Sequence, residues 1–362
     1  MLRFLLRRLG TMLLTAACLT FVVFYLTNLS PNLERLAKTQ ASARMSEDQV
    51  HSWLVAHGYG GPLIIRYGEW LGVVPGWTGT SAETGKPMGR CIDPNRPSLP
   101  APHYCGILQG NWGMSTVFRA PVGQILAVRL EATGWLMLWV LIVMIPTALV
   151  IGILAGMREG SRLDRALSTL SIVSTATPEY VSGVVLIVAF GSTLVGLSPL
   201  LYHWGLTGGQ AILNGSAATA LDHITFQNFA LPVATVALYG TGYIARMTRA
   251  SMTEVMTAQY IRTARLRGVR FRSVVLKHAL RNALIAPFTV IMLQIPWLLN
   301  GVVITETLFN YKGFGWTLVQ AAEGNDIELL LGSSVVAVVV VLLTQLISDI
   351  GYVYLNPRIR IS

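Results

Sequence analysis

The 362-residue chain is 53% hydrophobic, and only 12% of its residues are charged, against roughly 25% in a typical soluble domain. With a mean hydropathy of +0.56, this composition excludes a soluble enzyme, a disordered chain and a fibrous protein; it points to an all-α polytopic membrane protein. Net charge is +10, from 27 Lys and Arg against 17 Asp and Glu, and where those charges fall decides what they mean.

A spanning helix takes about 20 mostly apolar residues. Six segments read this way: Leu9–Thr27, Thr133–Ala155, Leu170–Val195, Phe229–Ile244, Leu284–Ile304 and Leu329–Leu355. The fourth is shorter and Gly-rich. Pro146, Pro178, Pro232, Pro287 and Pro296 fall inside them, which a bilayer tolerates when packed neighbours satisfy the freed carbonyls. The spans divide the chain into a tail with the first helix (1–28), an intervening region (29–131) and a five-helix core (132–362).

Charge sets the orientation, because short cytoplasmic loops collect Lys and Arg. With the N-terminus inside, one side holds Arg3, Arg7 and Arg8, then Arg158, Arg162 and Arg165, a dense run from Arg246 to Arg281, and finally Arg358 and Arg360. Few acids share it: Glu159, Asp164 and Glu254. Both termini are then cytoplasmic. The first segment has a basic start like a secretory signal, and Thr15-Ala16-Ala17-Cys18 is a poor cleavage box. The apolar run continues through Tyr25 with no small-x-small site after it, so a retained span with Cys18 buried is expected.

The region 29–131 then lies outside, and it is too long for a plain connection. Ser46-Glu47-Asp48-Gln49 reads as a capping box ahead of Val50, Trp53 and Leu54. Ile64 to Leu71 suggests a second short amphipathic helix. A Gly/Pro-rich stretch of about 72–110 follows without helical periodicity. Cys91 and Cys105 sit in it; in an oxidising compartment they are candidates for a disulfide, the alternative being two unrelated thiols. Gly85-Lys86 invites a phosphate-loop reading, but the required earlier Gly is Thr80 and the next residue is Pro87. Nucleotide binding by this chain is rejected, and three cysteines without a Cys/His cluster make a metal site unexpected.

The basic run carries the most information, in a loop of about 251–283. Apolar residues interleave with its charges, and Gly268 separates two helical patterns, about Glu254–Arg267 and Arg272–Ala283. A short helix held along the membrane's inner face would be presented to a soluble partner. Periodicity leaves other readings open: a positive-inside anchor, an interfacial helix on acidic lipid, or nucleic-acid binding, for which the base-stacking aromatic content is small.

Tyr260-Ile261-Arg262-Thr263-Ala264-Arg265-Leu266-Arg267-Gly268, followed by His278-Ala279-Leu280-Arg281-Asn282-Ala283-Leu284, resembles the EAA loop of bacterial ABC importer permeases, closest to the dipeptide/oligopeptide/nickel group. Of the general Glu-Ala-Ala…Gly signature only Ala264 and Gly268 match strictly, and Arg281 replaces the later Pro; the peptide-permease variant departs in these same ways. Glu306-Thr307-Leu308-Phe309-Asn310-Tyr311-Lys312-Gly313-Phe314-Gly315 is similar to the group's E-x-x-F-x-x-x-G-x-G, and the ending Asn356-Pro357-Arg358 to its Asp-Pro-Arg. The resemblance covers nearly the whole chain except about 72–110, which reads as an insertion.

It implies a type I importer permease fold of six helices in a bacterial inner membrane. It also implies a second homologous permease, two ATPase subunits that bind ATP and Mg, an external binding protein, and transport of a peptide or similar small solute. Tyr260, Ile261, Arg262, Thr263, Ala264, Arg265 and Gly268 would couple to the ATPases. The chain itself would hold no cofactor, bind lipid but no nucleic acid, and catalyse nothing. Acids at membrane depth default to functional hypotheses. Glu179 is therefore a candidate for the translocation path, with pairing to a neighbouring helix as the alternative; Asp349, near an interface, reads as structural. Gly240, Gly242 and Gly301 are expected to permit close helix packing. A membrane-embedded enzyme would need a catalytic pair at depth, and His51, His57, His103, His203, His223 and His278 are scattered. A secondary transporter would need internal repeats, and none is visible.

Overall fold

The computed structural model describes residues 2–80, 85, 87–92, 102–208 and 211–355. Lys86, Asn356, Pro357, Arg358 and Arg360 lie outside the described residues, as do the side chain of Arg3 and the packing at Gly301.

The chain opens with α1 (Leu2–Thr27), followed by α2 (Ser30–Gln40), α3 (Glu47–Ala56) and α4 (Leu63–Leu71). Pro31 sits in the first turn of α2, where its missing N–H leaves no helical bond unmade. α3 begins on a capping box: the Ser46 hydroxyl accepts from the Gln49 N–H at 3.4 Å, and the Gln49 side chain accepts from the Ser46 N–H at 3.0 Å. The Gly/Pro-rich stretch adds a small antiparallel pair, β1 (Thr78–Thr80) and β2 (Pro87–Gly89), with Gly79 opposite Met88. A disulfide joins Cys91 to Cys105, with Cα atoms 5.5 Å apart.

The long α5 (Val122–Gly156) comes next, then α6 (Arg162–Ala176) and α7 (Glu179–Leu186), which runs on as a π turn over Ile187–Gly191. A short α8 (Leu197–His203) leads to α9 (Phe226–Thr257) and α10 (Gln259–Leu266). After α10 the backbone forms α11 (Phe271–Ser273), a π segment Val274–Ala279 and α12 (Leu280–Ala283). The chain closes with α13 (Ile285–Leu308), α14 (Phe314–Glu323) and α15 (Ile327–Leu355).

Among the described residues, three helices are long and apolar enough to cross a membrane alone: Leu6–Thr27, Val122–Gly156 and Ile327–Gly351. Two bent pairs raise the number to at most 5: α6 with α7, and Phe271–Ala283 with Ile285–Leu298. The expected third span is therefore not one straight helix. Its halves meet at 107°, and the cause is local. Thr177 precedes Pro178 and takes an extended conformation, φ −83 and ψ 123, because the proline ring clashes with a helical residue before it. The expected fourth segment lies inside the 32-residue α9, which is not among the helices apolar enough to count. Cys18, expected to be buried, is exposed on the surface of α1.

The chain forms two compact units. The first comprises Leu2–Val128 and Thr317–Val340, so the end of α14 and the start of α15 pack with the region between the first two expected spans. Its core gathers Phe24, Leu33, Leu36, Trp70, Ile327 and Leu331. Asp326 caps α15 by accepting from the Leu329 N–H at 3.1 Å, and it also accepts from the Ser115 hydroxyl at 2.6 Å.

The second unit comprises Arg129–Trp316 and the chain from Val341. α9 is its centre, with α6, α7 and α13 packed on it. Leu136, Val140, Met144 and Ala148 recur at every fourth residue of α5 and are fully buried, one stripe of an otherwise apolar helix facing inward. A Cβ on Gly240 would overlap the Met144 sulfur, and one on Gly242 would lie 2.5 Å from the Ser171 carbonyl oxygen. Outward, Val184, Val185, Val188, Leu343 and Ile347 are exposed, which suits contact with lipid or another apolar chain.

Candidate coupling site

α9 stops at Thr257, and Ala258, extended at φ −63 and ψ 148, turns the chain into α10. Glu254 thus belongs to the long helix, and the short helix starts later than its sequence pattern suggests. α10 is held by one face. Ile261 is fully buried in a cluster with Met252, Val274, Val275, Ala279 and Ala283. Ala264, one turn on, packs against that cluster with Val269. Residues three apart share a helix face, so the opposite face is left open. There Tyr260 is 43% exposed and Leu266 82% exposed, with Arg262, Thr263 and Arg265 also exposed.

The end of α10 satisfies its last carbonyls locally. Gly268 takes φ +75; its N–H donates to the Arg265 carbonyl at 3.0 Å, and the Val269 N–H donates to the Ala264 carbonyl at 3.2 Å. This is the Schellman pattern, in which a left-handed residue without a Cβ closes a helix. No atom lies within 4 Å of where a Gly268 Cβ would be, so the glycine is there for its backbone conformation and not for space. Ala264 is half-buried, with its small side chain packed in part against the chain's own cluster. The expected second helix also differs, since its middle is the π segment.

Charged and ring contacts brace this region. Arg249 on α9 grips Asp164 on α6 with two parallel bonds, Nε to Oδ1 at 2.5 Å and an Nη to Oδ2 at 2.8 Å. The Asp164 carboxylate, 2% exposed, also accepts from the Gly160 N–H at 2.9 Å and the Ser168 hydroxyl at 3.0 Å. Such a bidentate pair fixes orientation as well as distance. The Arg158 and Arg265 guanidinium groups lie 5.5 and 5.8 Å from the Phe271 ring centre. Tyr260 accepts from the Asn282 side-chain amide at 2.9 Å, tying α10 to α12.

Two acids lie along the helices. Glu179 is the first residue of α7, at the bend and not in the middle of a straight span, and it accepts from the Thr305 hydroxyl at 2.8 Å. Glu306 is the residue that reading the sequence for buried acids misses. It is fully buried, bonded to the Thr133 hydroxyl, and it accepts from the Trp316 N–H at 2.9 Å. The turn around it explains the spacing of its sequence pattern. Phe309 is fully buried, Asn310 turns the chain at φ 52, and the Tyr311 N–H returns to the Glu306 carbonyl at 2.8 Å. A Cβ on Gly313 would overlap the Glu306 carboxylate, and one on Gly315 would lie 2.6 Å from the Val303 backbone. The sequence signal was the Glu306-to-Gly315 pattern itself, spaced so that two glycines fold back onto an acid.

Comparison with known proteins agrees with this architecture. Residues 148–361 match the family described as "Binding-protein-dependent transport system inner membrane component". The chain is 33% identical over 254 residues to the "Probable peptide ABC transporter permease protein y4tP" of Sinorhizobium fredii, covering 70% of this chain and 77% of that protein. It is 32% identical over 272 residues to the "Dipeptide transport system permease protein DppB" of Escherichia coli K12, covering 71% and 79%. Against the "Putative peptide permease protein BRA0408/BS1330_II0405" of Brucella suis it is 27% identical, with 100% of both chains covered. The chain therefore belongs to the family of binding-protein-dependent transport system inner membrane components, as a permease subunit of the peptide ABC importer type and not an enzyme.

Proposed function

We propose that this chain forms half of the translocation pathway of an ATP-driven importer for peptides or similar small solutes in a bacterial inner membrane, and that α10 couples it to an ATPase subunit. The observation that carries the coupling role is the one-sided packing of α10. Ile261 and Ala264 anchor it, while Tyr260, Arg262, Thr263, Arg265 and Leu266 are exposed to a partner, Tyr260 and Arg265 also touching Asn282 and Phe271 at the edges of that face. A helix that only anchored the loop to lipid would turn its apolar residues outward together. Here the main apolar residue faces in, and the outer face mixes cations with one apolar side chain.

Counting each of the two bent pairs as one span and α9 as another gives six with the three straight helices, with both termini cytoplasmic. α10 and the basic run then face the ATPases, and the disulfide-bearing region faces the external binding protein. A second, homologous permease completes the pathway. The substrate class rests on relatives named as peptide permeases. ATP binding closes the ATPase pair and displaces α10. Ile261 passes that displacement to Met252 on α9 and to the segment leading into α13. Such coupling requires each ligand state to favour one of two conformations.

The test is the double variant Arg262→Glu with Leu266→Glu. Both side chains are exposed, so insertion and thermal stability are expected to be unchanged. Co-purification of the ATPase subunits is expected to fall about ten-fold or more, as when an interface loses an apolar anchor and reverses a charge. Full association with full coupled uptake would overturn the coupling role and leave a positive-inside anchor.

A further inference from the structure

The first unit holds a half-open cavity of about 860 Å³, within the range of small-molecule sites. Its arginines and glutamates are two of each, Arg66 and Arg90 with Glu69 and Glu328. Arg90 bonds Glu328 through one nitrogen at 3.3 Å, but its Nε and other Nη are buried with no hydrogen-bond partner among the described residues, and so is Glu328 Oε2. A buried donor and a buried acceptor left unmade beside each other are costly unless something completes them. Gly113 makes room for this carboxylate: a Cβ there would lie 2.6 Å from Glu328 Oε2.

Aromatic residues share the remaining walls with polar ones such as Asn111 and Gln124. Trp70, Trp77 and Trp112 line the cavity with Tyr59. The Trp70 ring is 2% exposed, and its Nε1–H is another buried donor without a partner. Arg66 is already engaged, bonded to Asn28 and placed 5.2 Å from the Tyr59 ring centre. Burial raises the Glu69 carboxyl above the ordinary range and lowers Arg66. Cys91 lines the same cavity, and its disulfide ties it to Cys105.

We infer that this cavity is a binding site for a small zwitterion with an apolar body, of the class of short peptides and free amino acids. The ligand carboxylate meets the free Arg90 nitrogens, its ammonium meets Glu328 Oε2, and its side chain lies among the tryptophans. The site belongs to the permease chain itself, and it stands whether or not α10 docks an ATPase.

The experiment uses the full chain in lipid nanodiscs without a binding protein. The dipeptide Ala-Phe is titrated by calorimetry and by tryptophan fluorescence, beside N-acetyl-Ala-Phe and Ala-Phe amide. Saturable binding of Ala-Phe is expected, with each blocked form about ten-fold weaker or more, the loss typical of a charged hydrogen bond. Arg90→Gln is expected to erase the difference between Ala-Phe and its amide, and Glu328→Gln the difference between Ala-Phe and its N-acetyl form. Gln124 lines the cavity without belonging to the charged pair, and Gln124→Trp is expected to abolish binding by filling it, at an unchanged unfolding temperature. No saturable binding, equal binding of all three probes, or unchanged binding to Gln124→Trp would each overturn the proposal. ATPase co-purification from the same preparations reports separately on α10.

Discussion

α10 and the turn that follows α13 handle their polar groups in opposite ways. In the turn the acid is enclosed: Glu306 is fully buried, its carboxylate accepts from the Thr133 hydroxyl and the Trp316 N–H, and the Tyr311 hydroxyl donates to the Ala132 carbonyl at 2.7 Å. In α10 only one face is satisfied. Ile261 is buried, the helix end is closed by Gly268, and Leu266 is left 82% exposed among cations. A segment whose groups all find partners inside its own chain has nothing left for another molecule. A helix pinned on one side and exposed on the other has a face to offer, which is the basis of the proposed docking role. Both segments carry family-like sequence patterns, so a pattern alone does not distinguish a structural device from a docking surface.

The largest effect that sharpens this contrast is expected at Glu306. Glu306→Ala strands the Thr133 hydroxyl and the Trp316 N–H, two buried donors that together are worth roughly 3 kcal/mol or more. Thermal unfolding of the purified chain is expected to show that loss, with poor membrane yield. Wild-type stability would mean that the enclosed turn is dispensable and the comparison fails. The Arg262→Glu and Leu266→Glu pair probes the opposite case, a change in association with none in stability.

Glu179 lies between these extremes. Glu179→Gln keeps an oxygen for the Thr305 hydroxyl, so stability is expected to stay within about 0.5 kcal/mol, as for a shape-preserving change with its bond retained. Uptake of labelled peptide in reconstituted membranes is expected to fall several-fold if the charge lines the path. Assembly and uptake both at wild-type levels would place Glu179 with Glu306 as a structural acid.

The smallest effect is expected at Gly268. Nothing crowds its Cβ position, so Gly268→Ala meets no clash and costs only the left-handed conformation, about 1 kcal/mol. Fraying of α10, read by hydrogen exchange at the Gly268 and Val269 amides, is the measurement. Unchanged protection would show that the left-handed cap is not what holds the helix end.

Much of the coupling loop was legible before any coordinates. Gly268 marked a helix end, and the alternation of Ile261 and Ala264 with charged residues marked a helix with two faces, because these signals depend on residues three and four apart. Which face turns inward was not legible. Only the cluster from Met252 to Ala283 shows that Ile261 is the residue buried within the chain and that Ala264 is partly covered beside it. The bend at Pro178 had a local signal in Thr177-Pro178, but proline is tolerated inside spans often enough that its presence does not fix an angle.

Composition and local pattern by themselves determined that this chain is apolar and helical with its cations gathered in short runs, with Ser46 starting one helix and Gly268 ending another. Those features arise within a few residues or from totals over the chain. The tertiary structure alone decided that Thr133 would meet Glu306, 173 positions away, that Thr305 would meet Glu179, and that Arg90 would lie against Glu328 with two nitrogens left over. The burial of a charged group and the identity of its partner depend on which distant segments pack together, and no spacing along the chain encodes that directly.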